Sequence, residues 1–300
     1  MEVITEARLA ARRRSVSSVK EWLIEQFIRL NGILAIIIVI LIFVFLLRDG
    51  LPAFKYVSAG KFLAGINWYP LSGIFGSLPL ILGSLWVTLG AIAIALPIGL
   101  ACAIYIAEVA PVPVREILKP TIEVLAGIPS VVIGFIGLVT LAPFIQKMFN
   151  LPTGLTALTG SIMLAFMAMP TIISISEDVI VAVPKEYRDG ALALGSTKWQ
   201  AISGVVVPAA KNGIIAAVML GIGRAIGETM AVLMVTGNAA VIPHSLFQPV
   251  RTITATIAAE MGEVVHYSPH YHVLFALGIL LFGITFIINL IADIALHKTK

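Results

Sequence analysis

The sequence predicts an all-α membrane protein with six transmembrane helices, on three observations. Hydrophobic residues make up 59% of the 300 residues and charged residues only 12%, and the mean hydropathy of +1.03 lies outside the range of ordinary globular domains. The apolar residues come in long blocks, not in the alternating or heptad patterns of a water-facing fold. Lysine and arginine crowd alternate connections between those blocks. The net charge of +4 comes from short flanking segments, so it reads as an orientation signal and not as a nucleic-acid surface. Cys102, the single cysteine, lies inside an apolar run and has no intrachain partner. Cysteine usage therefore leaves the compartment open.

A perpendicular span takes about 20 apolar residues, and six segments meet or approach that length. The first, 30–47, follows a basic segment at 1–29 and ends at Arg48-Asp49 with no small-residue cleavage pattern, so it reads as a retained helix. A polar connection at 48–77 carries Trp68 and Tyr69 on the extracytoplasmic side. A core of five helices is then expected over 78–296. Its spans are 78–107, long enough to be tilted or to begin as an interfacial helix before Pro79, then 121–145, 155–176, 212–236 and 273–295.

Arg8, Arg12, Arg13, Arg14, Lys20, Arg115, Lys119, Lys185, Arg188, Lys198, Lys211, Lys298 and Lys300 fall on one side. Only Arg48, Lys55, Lys61, Lys147 and Arg251 fall on the other. That bias predicts both termini in the cytoplasm and an even number of spans. Glycine and proline interrupt the spans at Pro97, Gly99, Gly127, Pro129, Gly134, Gly137, Gly221 and Gly223, as close packing or a lined cavity permits.

Arg224 and Glu228 are the sharpest functional signal. An arginine at bilayer depth costs roughly 2.5–3.5 kcal/mol even on lenient insertion scales. A spacing of four places both side chains on one helix face, within reach of each other. Two readings stay open: a pathway for a charged, hydrogen-bonding solute, or a buried ion pair that locks one helix to its neighbours. Thr229, Thr236 and Asn238 continue that helix and suit packing. Glu108, Glu123, Glu177 and Asp178 fall near predicted helix ends and read as interfacial. His266, His270 and His272 have no cysteine near them and sit in a loop-like context, so no metal site is expected.

The connection 186–208 is amphipathic, with Leu192, Leu194 and Trp199 among polar neighbours. Such a segment cannot enter the bilayer but suits the groove of a cytosolic partner. Gly195 permits a sharp turn and Pro208 starts a new helix direction. The segment resembles the EAA loop of ABC-transporter permeases, whose pattern is Glu-Ala-Ala, three residues, Gly, nine residues, then Ile-x-Leu-Pro. Asp189, Gly190 and Ala191 take the first three places, Gly195 is in register, and Val205, Val207 and Pro208 close the pattern; Glu186 opens the loop. The departures (Asp for Glu, Gly for Ala, Val for Ile and Leu) are chemically mild.

Four further stretches resemble the phosphate-specific (Pst) permeases of binding-protein-dependent transport systems, PstC-type more than PstA-type. They are Leu125-Ala-Gly-Ile-Pro-Ser130, Gly223-Arg-Ala-Ile-Gly-Glu-Thr-Met230, Arg251-Thr-Ile-Thr-Ala-Thr-Ile257 and Ser268-Pro-His-Tyr-His272. The resemblance runs from about residue 25 onward. It implies the type I, MetI-like permease fold, in a bacterial or archaeal cytoplasmic membrane, with no enzymatic activity of its own. It implies a second homologous permease (PstA type), a cytosolic ATPase pair (PstB type) on the 186–208 loop, and an extracytoplasmic phosphate-binding protein (PstS type). Arg224 and Glu228 are the positions it implicates in phosphate passage, and Arg251, Thr252, Thr254 and Thr256 would form a short outer helix near the binding-protein dock. No Gly-x-x-x-x-Gly-Lys-Ser/Thr loop is present, so ATP is bound by the partner and this chain carries no cofactor. Related oxyanion permeases for sulfate or molybdate, or an ATPase-independent secondary transporter, are the alternatives.

Overall fold

The computed structural model describes the backbone of residues 2–297 and the side chains of 21–291, 293 and 294. The basic side chains at 8, 12, 13, 14 and 20, and Lys298 and Lys300, lie outside the described residues. The chain divides into two units, Met1–Asp49 and Gly50–Lys300. The first is a single helix, α1 (Glu2–Gly50). Its apolar window is long enough to cross a membrane.

The second unit opens with a one-turn helix at Leu51–Lys55 and α2 (Ala59–Ala64), then a two-stranded hairpin of β1 (Trp68–Tyr69) and β2 (Ile74–Phe75). The register pairs Trp68 with Phe75 and Tyr69 with Ile74. Alternation puts the first pair on the buried face and leaves the second exposed. α3 (Leu78–Ile104) follows, extended by a π turn at Tyr105–Val109.

The third predicted span is not one helix. The chain forms α4 (Val112–Ala126), breaks at Gly127-Ile128-Pro129, and resumes as α5 (Ser130–Ile136), a π turn (Gly137–Leu141) and α6 (Ala142–Met148). Pro129 cannot donate a backbone hydrogen bond and Gly127 caps α4, so α4 is a separate amphipathic element and the apolar span is Ser130–Met148. α7 (Ala157–Val181) starts under an N-cap from Thr156 and runs past the expected end at residue 176.

The loop region contains α8 (Lys185–Ala193), α9 (Lys198–Ala201), a π turn (Ile202–Val206) and α10 (Val207–Ala209). At Ala210 the chain bends by 70° into α11 (Lys211–Gly227). The fifth predicted span is also interrupted: α11 stops at Gly227 and α12 (Met230–Val235) begins after Glu228-Thr229. α13 (Ile253–Glu260) and α14 (Pro269–His297) complete the chain. Among the described residues, five helices are long and apolar enough to span a membrane, or six with the bent α9–α11 pair counted as one.

The core sits between α3 and α7, where Val87, Ala91 and Ala95 meet Leu164, Ala165, Ala168 and Ile172, with Ala225 and Val232 closing over them. Small residues let backbones approach where no aqueous driving force exists. A Cβ on Gly221 would lie 2.6 Å from Ile172 Cγ1, and one on Gly134 would lie 2.9 Å from the Cα of Ala231. The second of these brings α5 against α12, each the piece of its span that lies beyond the break.

Candidate functional site: two helix breaks and an exposed loop

Arg224 lies one turn before the end of α11 and is half-buried. Its guanidinium donates to Thr171 Oγ1 of α7 at 3.2 Å and to the carbonyl of Ala126, the last residue of α4, at 3.1 Å. A cation at the carboxyl end of a helix is favourably placed against the macrodipole, and here it also satisfies one of the orphan carbonyls. Two of the five guanidinium N–H groups are thereby used, leaving donors for a further acceptor.

Glu228 does not pair with Arg224. Its ψ of 131° takes the chain out of helical conformation, so the spacing of four no longer puts the two side chains on one face. The carboxylate instead accepts from the backbone N–H of Met230 at 3.1 Å and of Ala231 at 3.2 Å. These are N–H groups that the break leaves without intrahelical partners. The backbone carbonyl of Glu228 accepts from Thr254 Oγ1 at 2.8 Å, which ties the break to the first turn of α13. The expected i, i+4 ion pair is therefore replaced by two separate caps, Arg224 on α4 and Glu228 on α12.

Thr236 is buried and donates to the carbonyl of Val232, a helix-internal bond of the packing kind. Thr229 donates to Gly227 O and Asn238 to Leu233 O, so both close local turns.

The 186–208 loop is built for display. α8 ends in a Schellman motif: Gly195 N–H donates to Leu192 O at 2.9 Å and Ser196 N–H to Ala191 O at 3.3 Å, with Gly195 at φ +83°. Thr197 and Gln200 then form a capping box on α9. Glu186, Asp189, Gly190, Gly195 and Pro208 are exposed, while Ala191, Val205 and Val207 are half-buried. Leu194 and Trp199 are apolar yet 91% and 64% exposed. A Cβ on Gly190 would touch nothing within 4 Å, so the pattern's alanine would fit there without a clash.

Four long-range ionic contacts were not legible in the sequence. Arg188 of α8 donates to Glu108 Oε1 at 2.8 Å through Nε, and to the carbonyl of Ile180 at 2.8 Å. Glu177, only 2% exposed, accepts from Arg115 at 2.6 Å and Lys119 at 2.7 Å, and Lys119 also reaches Asp178 at 2.7 Å. Those hydrogen bonds, to Asp178 first and then Glu177, raise the Lys119 pKa above its ordinary value. Glu108 and Glu177 both lie near helix ends, as expected, and each is paired with cations from a distant segment.

At the opposite end of the unit, Glu260 of α13 gathers three partners. It accepts from Trp68 Nε1 at 3.1 Å, pairs with Arg251 at 2.9 Å and meets His270 Nε2 at 2.8 Å. Thr252 caps α13, and Thr254 and Thr256 are buried.

Comparison with known proteins agrees with this architecture. Residues 95–300 match the family model described as "Binding-protein-dependent transport system inner membrane component". The chain is 43% identical over 252 residues to the "Probable ABC transporter permease protein YqgH" of Bacillus subtilis, covering 83% of this chain and 82% of that protein. It is 41% identical over 257 residues to the "Phosphate transport system permease protein PstC" of Mesorhizobium japonicum, covering 79% and 78%. A solved chain of the MetNI methionine ABC transporter in an inward-facing conformation superposes with a TM-score of 0.59 at 16% identity, covering 78% of this chain and 100% of that one. It shares the MetI-like fold. With the family model spanning more than half of its length, the chain belongs to the binding-protein-dependent transport system inner membrane components.

Proposed function

We propose that this chain is one of the two permease subunits of an ATP-driven importer for inorganic phosphate. The observation that carries the reading is the meeting of two helix breaks at Arg224. Irregular backbone at membrane depth is tolerated where it is buried in protein or lines a polar cavity. Arg224 bridges the end of α4 to α7 beside that irregular backbone and keeps donors free, a planar fork suited to an oxyanion. Glu228, on the adjoining break, supplies the balancing negative charge. It can accept a hydrogen bond from a protonated phosphate, which fully ionised sulfate cannot offer. The likeness to a PstC-named relative supports phosphate over sulfate or molybdate.

A second, PstA-type permease would complete the pathway. A PstB-type ATPase pair would dock on α8 and hold the ATP, and a PstS-type binding protein would deliver phosphate from outside. The exposed, doubly capped α8–α9 segment supports the ATPase dock, and the lysine and arginine bias supports cytoplasmic termini. Closure of the ATPase would draw the two loops together and turn the pathway outward.

The test is labelled phosphate uptake by vesicles holding the assembled complex, with and without ATP and with sulfate or molybdate as competitors. ATP-dependent uptake that ignores sulfate supports the reading. ATP-driven uptake of another anion discards phosphate, and uptake without ATP discards the ATPase dock.

A further inference from the structure

Glu177 is a buried carboxylate that the transport reading leaves unused. Its surroundings connect it to Arg224. α4 contains no fully buried residue, and the Gly127–Pro129 break frees it from α5. Leu118 and Ile122, both half-buried, pack against an apolar cluster shared by α3, α7 and α11; beyond that, α4 is held at two polar rungs. In the first, Arg115 and Lys119 grip Glu177 and Asp178 of α7. In the second, the carbonyl of Ala126 and Thr171 of α7 share the guanidinium of Arg224.

The rungs are evenly matched. Lys119 to Ala126 is about 10.5 Å along α4 and Glu177 to Thr171 about 9 Å along α7, at roughly 1.5 Å per residue. The first rung therefore sets the gap between α4 and α7, two turns away from the point where Arg224 bites across the same gap.

We propose that Glu177 is a positioning residue for Arg224: by clamping α4 to α7 it fixes the two acceptors between which the guanidinium is held. The proposal rests on the reading of Arg224 as an anion contact. A single charged grip on a helix with little buried surface is a setting in which losing one partner moves the helix and does not merely soften it, because both cations are left without their buried partner.

The experiment uses the assembled transporter in proteoliposomes and compares Glu177→Gln with Arg224→Lys and the parent. Phosphate moved per ATP hydrolysed is measured, a ratio that is indifferent to how much complex assembles. Spin-label distances between Val124→Cys and Phe166→Cys in a Cys102→Ser background, at positions 71% and 47% exposed, report the α4–α7 gap.

Glu177→Gln is expected to keep ATP hydrolysis, to lower phosphate per ATP by about fivefold or more, and to broaden or shift the distance distribution. An unchanged ratio or an unchanged distance overturns the proposal, and lowered assembly with both unchanged makes Glu177 purely structural. Arg224→Lys separates the two claims. If it transports at the parental ratio, the anion role of Arg224 falls and the proposal falls with it. If it is impaired while Glu177→Gln is not, Glu177 loses its role and Arg224 keeps its own. Should Glu177→Gln fail to assemble, Lys119→Gln, which leaves Arg115 on the carboxylate, is read in the same way.

Discussion

Arg188 donates to Glu108 across 80 positions of sequence, at 2.8 Å through Nε. The contact fastens the first turns of α8 to the π turn that ends α3. With side chains only 20% and 9% exposed, the pair is poorly screened. A force on α8 therefore reaches α3 through a charged, multiply bonded joint, in addition to the short linker from α7.

Breaking that joint is expected to uncouple the machine. Arg188→Ala leaves Glu108 without its cation, which costs about 3 kcal/mol for a mostly buried pair. The melting temperature of the purified complex should fall. ATP hydrolysis should continue while phosphate uptake drops several-fold. Uptake and hydrolysis falling in proportion would show that the joint does not transmit.

Gly195→Ala tests the exposed turn. At φ +83° an L side chain costs about 1–2 kcal/mol, so the Schellman end of α8 should fray and binding of the ATPase subunit should weaken. Gly190→Ala, at a position with open space, should bind the ATPase like the parent. Equal binding by both variants would exclude a role for the turn.

Glu228→Gln and Glu228→Ala separate capping from charge. The amide oxygen of glutamine can still accept from the Met230 and Ala231 N–H groups, so the melting temperature should be kept. Alanine loses the cap, at about 1 kcal/mol. If charge balance matters for the anion, uptake falls in both variants although only one is less stable. Parental uptake by Glu228→Gln would leave Glu228 with its cap alone.

The Lys119 grip has a predictable pH dependence. Its pKa in the folded protein is raised above the ordinary 10.5, so its contribution to stability is fully present below that value and disappears as pH rises through the folded pKa. Thermal melts from pH 9 to pH 12 should show a loss of stability above about pH 10.5 that is reduced in Lys119→Gln. An identical alkaline slope in both proteins would remove Lys119 as its source.

The apolar spans and the loop signature were legible because each is local: hydropathy marks a span, and Gly195 and Pro208 carry their own backbone preferences. The breaks were not. Gly127 and Pro129 stand out as interruptions, but hydropathy runs straight through them and they read as packing features within one span; Glu228-Thr229 lies inside an apolar block with no proline to mark it. The ion pairs of Glu108 and Glu177 join residues 58–80 positions apart, a separation at which no periodicity speaks. For the same reason Arg224 and Glu228 were expected together: the spacing assumed a continuous helix, and the break sent each to a different helix end.

Glu260 bears on how the chain comes into being. Its bond to the Trp68 indole spans 192 positions, and the residues that cover Trp68 and Phe75 include Ile253, Val273, Leu274 and Leu277. Chains emerge from the ribosome amino end first. The hairpin is therefore made early but stays uncovered until nearly the whole protein has been synthesised. A chain that stalls before α13 leaves the aromatic face of Trp68 and Phe75 bare of the residues that cover it in the finished subunit.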